Sequence, residues 1–247
     1  MKPFYFDTHM HFDLYKNRKD VLSYINQNRS YTIAVTNLPD LYERYFRQGI
    51  CEKYKYIRLA LGFHPQLAKQ YYPQIEKFER YLQTTKYIGE VGLDFSAGDL
   101  QEFNYQREIF QNIIWQCQHT ENKILTVHSR HAEKDVLHYL EELTNCKVIL
   151  HWYTGTLRTL DEAVDRGYYF SINQQMLQTK KCQLMLERIP LDKILLESDA
   201  PFTKGTRVEY SLKIFDGIYM ALSKSYGLAP DDLSMKLRQN FKSVLRM

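Results

Sequence analysis

The chain has 247 residues, is 44% hydrophobic and carries a formal net charge of +4. That length suits a single α/β barrel of about 250 residues, and it buries enough apolar surface to need no disulfide or structural metal. The mild positive charge permits phosphate contacts without identifying any, while four scattered cysteines with no CxxC pair exclude a zinc ribbon or disulfide scaffold and fit a reducing cytoplasm.

From the N-terminus, Met1–Asp7 lacks the apolar run of a signal peptide, and no stretch is apolar for long enough to span a bilayer. A cytoplasmic protein without membrane contact is expected. The first strand is predicted over Phe4–Thr8, followed by His9-Met10-His11. The second spans Tyr31–Thr36, and the third, Ile57–Phe63, runs into His64-Pro65. The fourth, Tyr87–Gly92, holds Glu90. A helix is predicted over Gln101–Thr120, where Ile109, Ile113 and Cys117 recur at four-residue spacing. The strand Ile124–His128 follows, then a helix over His131–Leu143 and the strands Val148–His151 and Tyr168–Ile172. The last strand, Ile194–Glu197, leads into Ser198-Asp199.

The strand segments are short apolar runs, as parallel strands buried on both faces require. Their alternation with helices predicts a parallel sheet. Eight of them in one chain, with no linker or low-complexity stretch, predict a TIM-type (β/α) barrel forming a single domain over residues 1–247. A doubly wound open sheet is the alternative. It usually brings a glycine-rich turn after the first strand, and Asp7-Thr8-His9-Met10-His11 has no glycine.

Barrel enzymes build their sites at the C-terminal ends of their strands, where His9, His11, His64, Glu90, His128, His151 and Asp199 fall. Side chains two apart on an extended segment face the same way, so His9 and His11 can reach one ion. Imidazole suits Zn, Mn, Ni or Fe. A carboxylate at the end of a buried strand needs compensation, and Glu90 can bridge two ions. His128 and His151, on neighbouring strands, supply the second ion. Asp199 lies near the first, because the eighth strand closes against the first. Without metal, this cluster would leave unpaired polar groups costing on the order of 1–3 kcal/mol each. His119, His131 and His138 fall in predicted helices and are read as ordinary exposed or half-buried side chains.

These residues lie in motifs that resemble the TatD-like deoxyribonucleases, within the amidohydrolase-like metal hydrolases. In order they are Asp7-Thr8-His9-Met10-His11-Phe12-Asp13, Gly62-Phe63-His64-Pro65, Gly89-Glu90-Val91-Gly92-Leu93-Asp94, His128-Ser129-Arg130, His151-Trp152-Tyr153-Thr154-Gly155 and Glu197-Ser198-Asp199-Ala200-Pro201, with Asn240-Phe241 at the family's terminal helix. The resemblance implies a TIM barrel with one divalent ion on His9, His11, Glu90 and Asp199 and a second on Glu90, His128 and His151. It implies hydrolysis of DNA, often from a 3′ end, and places His64 in the active site as a phosphate contact. The chain departs from the family pattern at Ser198, at Trp152-Tyr153, in Ser171-Ile172-Asn173-Gln174, which lacks the family's glycine, and around Thr206–Ser211. The segment Ala60–Leu67 and the divergent region after the eighth strand also resemble the TatD-type subunit of Qat antiphage defence operons, which would add protein partners.

The expected mechanism uses two divalent ions, Zn, Mn or Mg, roughly 3.5–4 Å apart. Glu90 bridges them, and Asp199 takes the proton from the attacking water. His64 and Arg130 hold phosphate oxygens; the guanidinium fork matches that geometry. Glu197 orients ligands from behind. Trp152 and Tyr153, directly after a ligand, are expected to stack on unpaired bases at single-stranded DNA ends. The alternative keeps the metal site and changes the bond to a small-molecule amide, ester or phosphoester. A barrel acting only through its surface is a second alternative, disfavoured by the intact ligand set.

Overall fold

In the computed structural model, which describes residues 4–246, the apolar runs form eight parallel strands: β1 (Phe6–Met10), β2 (Tyr31–Ala34), β3 (Ile57–Leu59), β4 (Tyr87–Gly92), β5 (Ile124–His128), β6 (Lys147–His151), β7 (Tyr169–Ile172) and β8 (Ile194–Leu196). Met1–Pro3 of the opening segment and Met247 lie outside the described residues. Between and after the strands come helices α1 (Arg18–Gln27), α2 (Pro39–Arg47), α3 (Ile50–Lys53), α4 (Ile75–Tyr81), α5 (Leu100–Gln118), α6 (Glu133–Leu140), α7 (Leu157–Asp165), α8 (Lys180–Leu186), α9 (Ile214–Tyr226) and α10 (Pro230–Leu245). Each βα step brings the chain back parallel to its neighbour, the arrangement of a TIM-type barrel.

The strands pair in two arcs, β1-β2-β3 and β4-β5-β6-β7-β8. Two narrow seams join them. At one, Leu61 bridges Ile88; the Leu61 N–H donates to Tyr87 O at 2.9 Å and the Gly89 N–H to Leu61 O at 2.8 Å. At the other, Met10 bridges Ala200, with the His11 N–H donating to Ala200 O at 2.9 Å and the Asp199 N–H to His9 O at 3.0 Å. Ile33, Leu61, Ile88, Val127, Leu150, Phe170 and Leu195, spread over both arcs, are fully or almost fully buried. Among the described residues, no helix is long and apolar enough to cross a membrane.

Several boundaries differ from those the sequence predicts, for local reasons. Phe4 and Tyr5 are apolar enough for a strand, but the C-terminal helices take them. The Phe4 N–H donates to Ser234 Oγ of α10 at 3.0 Å, and the Tyr219 hydroxyl of α9 donates to Phe4 O at 2.6 Å. Pairing therefore starts at Phe6↔Tyr31, and His9 lies within the strand. α6 begins at Glu133, not His131, because His131 takes a left-handed turn at φ +57°. His119 caps the end of α5 against Trp115, and His138 is exposed on α6. At the C-terminal end, Asn240 of α10 is buried, and its Nδ2 donates to Leu191 O at 2.6 Å and Ile194 O at 2.9 Å. That latches the last helix to the foot of β8.

Candidate metal centre

Glu90, 3% exposed at the end of β4, organises the barrel mouth. Its Oε2 faces His9 Nε2 at 3.6 Å and His11 Nε2 at 3.4 Å. Its Oε1 faces His128 Nδ1 at 2.6 Å and His151 Nε2 at 3.1 Å. Asp199 Oδ1 closes the first set, 3.8 Å from His9 Nε2 and 3.7 Å from His11 Nε2. Ligands about 2.1 Å from a tetrahedral ion stand roughly 3.4 Å apart, so the spacings around His9 and His11 suit a shared cation better than direct hydrogen bonds, whereas His128 and His151 stand within direct hydrogen-bond distance of Glu90 Oε1. His9 Nε2 is buried with no hydrogen-bond partner, an orphan that a cation would satisfy. Among the described residues, the groupings able to hold an ion are His9–His11–Glu90, His9–His151–Asp199 and His64–Glu90–His128.

Outer partners fix these side chains. His9 Nδ1 lies 2.7 Å from Thr126 Oγ1, which turns Nε2 toward the centre. His128 Nε2 lies 2.9 Å from Asp94 Oδ2, whose other oxygen accepts from the Ser96 N–H at 2.9 Å. Glu197, fully buried, accepts from Asn173 Nδ2 at 2.9 Å, from the Trp152 N–H at 3.1 Å and from the Ser171 hydroxyl. Its Oε2 stands 3.4 Å from His151 Nδ1. Glu197 therefore sits behind His151, as expected from the sequence. Ser171 and Asn173, where the family glycine is missing, are both spent on holding it. Asp7 is buried as well, accepting from the Ser198 N–H at 2.9 Å and the Tyr210 hydroxyl at 2.9 Å.

The backbone does its share. Gly92, at φ +139°, ends β4 so close to β5 that a Cβ there would lie 2.0 Å from His128 O. Trp152 and Asp199 adopt left-handed φ values of +38° and +45°, which non-glycine residues rarely take outside functional sites. Burial works against the charge on Glu90, but the imidazoles of His64, His11, His128 and His151 outweigh it and hold its carboxyl well below its ordinary range. Burial pushes Asp199 up to about 7, against the pull of His151 and His11. Burial pulls His64 down to about 4, so that imidazole is neutral near pH 7.

The cleft above this cluster has a volume of about 640 Å³, within the roughly 300–1,000 Å³ of small-ligand sites. His64, Arg130 and Trp152 all line it. The His64 Nδ1 accepts from the Gln66 N–H at 3.3 Å, leaving its Nε2 3.7 Å from Glu90 Oε1. Arg130 is exposed at the rim. Tyr153 is a correction to the expected stacking pair. It is 2% exposed, its ring packs edge-on against Phe170 at 5.8 Å, and its hydroxyl lies 2.5 Å from Thr159 Oγ1. The left-handed turn at Trp152 leaves that ring at the mouth and turns Tyr153 inward, so Tyr153 is core. Asp94, Thr126 and Phe202 are site residues that sequence reasoning missed. Asp94 stands in a family motif; it holds His128 from behind and lines the cleft beside Gln66. Phe202 lines the cleft next to His11.

A family model described as TatD related DNase matches residues 6–246. The chain is 27% identical over 263 residues to the uncharacterized metal-dependent hydrolase YcfH of Escherichia coli strain K12, a match covering 99% of this chain and 96% of that protein. It is 36% identical over 126 residues to the human deoxyribonuclease TATDN3, covering 50% of this chain and 46% of the relative. The matches with TATDN3 of human and mouse thus span about half the length of those proteins. Among solved structures, YJJV, a TatD homolog from Escherichia coli K12, superposes with a TM-score of 0.84 at 20% identity, over 99% of this chain and 98% of that one. At that identity the likeness is one of fold.

Proposed function

The chain belongs to the TatD-related DNase family, and from that membership we propose that it hydrolyses phosphodiester bonds in DNA with the help of two divalent ions, working inward from unpaired 3′ ends. The observation that carries this reading is the two-sided environment of Glu90: one carboxylate oxygen faces His9 and His11, the other His128 and His151. Zn, Mn or Mg bound there would polarise the phosphate and lower the pKa of a water toward neutrality.

The side chains divide the remaining work. Asp199 faces the first histidine pair from the eighth strand and accepts the proton of the attacking water. His64 accepts at Nδ1 from a backbone N–H, so its ring proton sits on Nε2, aimed into the cleft as a donor to a phosphate oxygen. Arg130, exposed at the rim, offers its fork to the next phosphate. Glu197 and Asp94 orient His151 and His128. Trp152 presents its ring to the terminal base. A target in phage DNA, with partner proteins from a defence operon, extends the same reading on the strength of the Ala60–Leu67 resemblance.

The test pairs elemental analysis with 5′-labelled oligonucleotides in Mg, Mn and Zn, comparing 3′ overhangs, 5′ overhangs and blunt duplex. Two ions per chain and stepwise shortening from 3′ overhangs are expected. Hydrolysis of a small phosphodiester with no oligonucleotide cut under any ion would replace the nuclease by a small-molecule hydrolase.

A further inference from the structure

The mouth of the barrel is chemically lopsided. Loops after β3 and β5 bring His64, Arg130 and His131 to the cleft; loops after β6, β7 and β8 bring Trp152, Gln175 and Phe202. The first side carries imidazoles and a guanidinium beside the Asp94 carboxylate, and the second carries two aromatic rings and a carboxamide beside Thr154 and Asp199. A nucleotide has the same division, an anionic phosphate on one side and a flat base on the other.

Phe202 is the strongest feature of the second side. Its ring is 51% exposed and stands perpendicular to His11, with centroids 5.2 Å apart. Isolated exposed apolar side chains are common and carry no message. This one is fixed in place beside an ion ligand. The Phe202 N–H donates to Asp199 O at 2.8 Å, and the Thr203 hydroxyl to Ser198 O at 2.6 Å. Tyr15 donates to Thr206 O, and Tyr210 ties the far end of the segment to Asp7. These bonds fix the backbone that carries the ring, so the main chain needs no reordering when something stacks on it.

We infer that Phe202, together with Trp152, forms a nucleobase subsite on the β6–β8 side of the cleft, seating the base of the nucleotide whose phosphate lies over Glu90. This rests on the nuclease reading and adds to it the residue that grips the base. It also accounts for an apolar ring retained in water next to the most polar cluster in the protein. Stacking needs an unpaired base and tolerates all four, so the subsite favours frayed or single-stranded ends without reading sequence.

The test is calorimetric and needs no turnover. The full chain, loaded with manganese, is titrated with deoxyadenosine 5′-monophosphate and with 2-deoxyribose 5-phosphate, which lacks the base. The wild type should prefer the base-bearing ligand, and Phe202→Ala should lower the ratio of the two affinities by at least about fivefold, the low end for removing one stacking ring. Phe202→Tyr should restore it. A ratio near one in the wild type, or one untouched by Phe202→Ala, overturns the subsite. If Phe202 merely shields His11, both affinities fall together and the ratio stays. Oligonucleotide cleavage by the wild type is scored separately. Cleavage with an unchanged ratio overturns the subsite and leaves the nuclease; a ratio that responds to Phe202 without cleavage leaves a nucleotide site and removes the nuclease.

Discussion

Each oxygen of Glu90 faces a different pair of imidazoles, so Glu90→Gln should weaken both ion sites, whereas His128→Ala should chiefly empty the second. Elemental analysis of the two variants separates these outcomes; equal losses would remove the bridging role. Asp199→Asn keeps the shape of the side chain and removes its basicity. Turnover should fall at least about a hundredfold, the lower end of general-base effects, with the melting temperature kept. Near-normal turnover would move the base elsewhere. Glu197 is a poor substitute, since both of its oxygens are already engaged. At this scale the gathering of His9, His11, Glu90, His128, His151 and Asp199 at the barrel mouth was legible because imidazoles and carboxylates buried together at strand ends are costly unless an ion compensates them. Trp152 and Tyr153 could not be told apart in the sequence. Which of two adjacent rings faces solvent was set by the backbone sign at Trp152, which composition does not carry. Asp94, which lines the cleft and accepts from Gln66 Nε2 at 3.0 Å, was overlooked because its tie to the centre runs through His128.

The strands show where local pattern suffices and where it does not. β4 and β5 fall where their apolar runs place them; β5 lies between β4 and β6, and β4 pairs with β5 from Tyr87 to Gly92. β1 starts late because Phe4 and Tyr5 meet helices 211 to 230 residues further along the chain, contacts invisible to any short window. The same limit applies to Asn240, whose place in the motif was readable but whose task was not. Its side chain meets two carbonyls at the foot of β8. Asn240→Ala should remove both bonds and cost on the order of 1–3 kcal/mol, read as a lower urea midpoint. The metal content should equal that of the wild type, because the foot of β8 lies at the opposite end of the strand from Asp199. Loss of ions in that variant would mean that α10 supports the site rather than the strand.

The proposed ligand set draws His9 and His11 from the end of the three-stranded arc, Glu90, His128 and His151 from the five-stranded arc, and Asp199 from just past β8. Ions bound only by the folded chain stabilise it by mass action, about 2.7 kcal/mol at a hundredfold excess over Kd. For a chain this long that is roughly 5–10 °C of melting temperature. Chelation should lower the transition by that amount, and readdition of Mn or Zn should restore it. A transition indifferent to chelator would mean that no ion is held tightly. The barrel itself was legible from the rhythm of its runs, but its division into two arcs was not, since seams are properties of pairing and not of composition. That division makes the molecule a hoop with two hinges and a clasp at the rim. With the clasp removed, deuterium should enter first at the hinge amides of His11, Leu61, Gly89 and Asp199, which hold the arcs together. Amides inside the β5–β6 ladder should keep their protection, so stripping the ions would loosen the ring at its joints long before it unfolds.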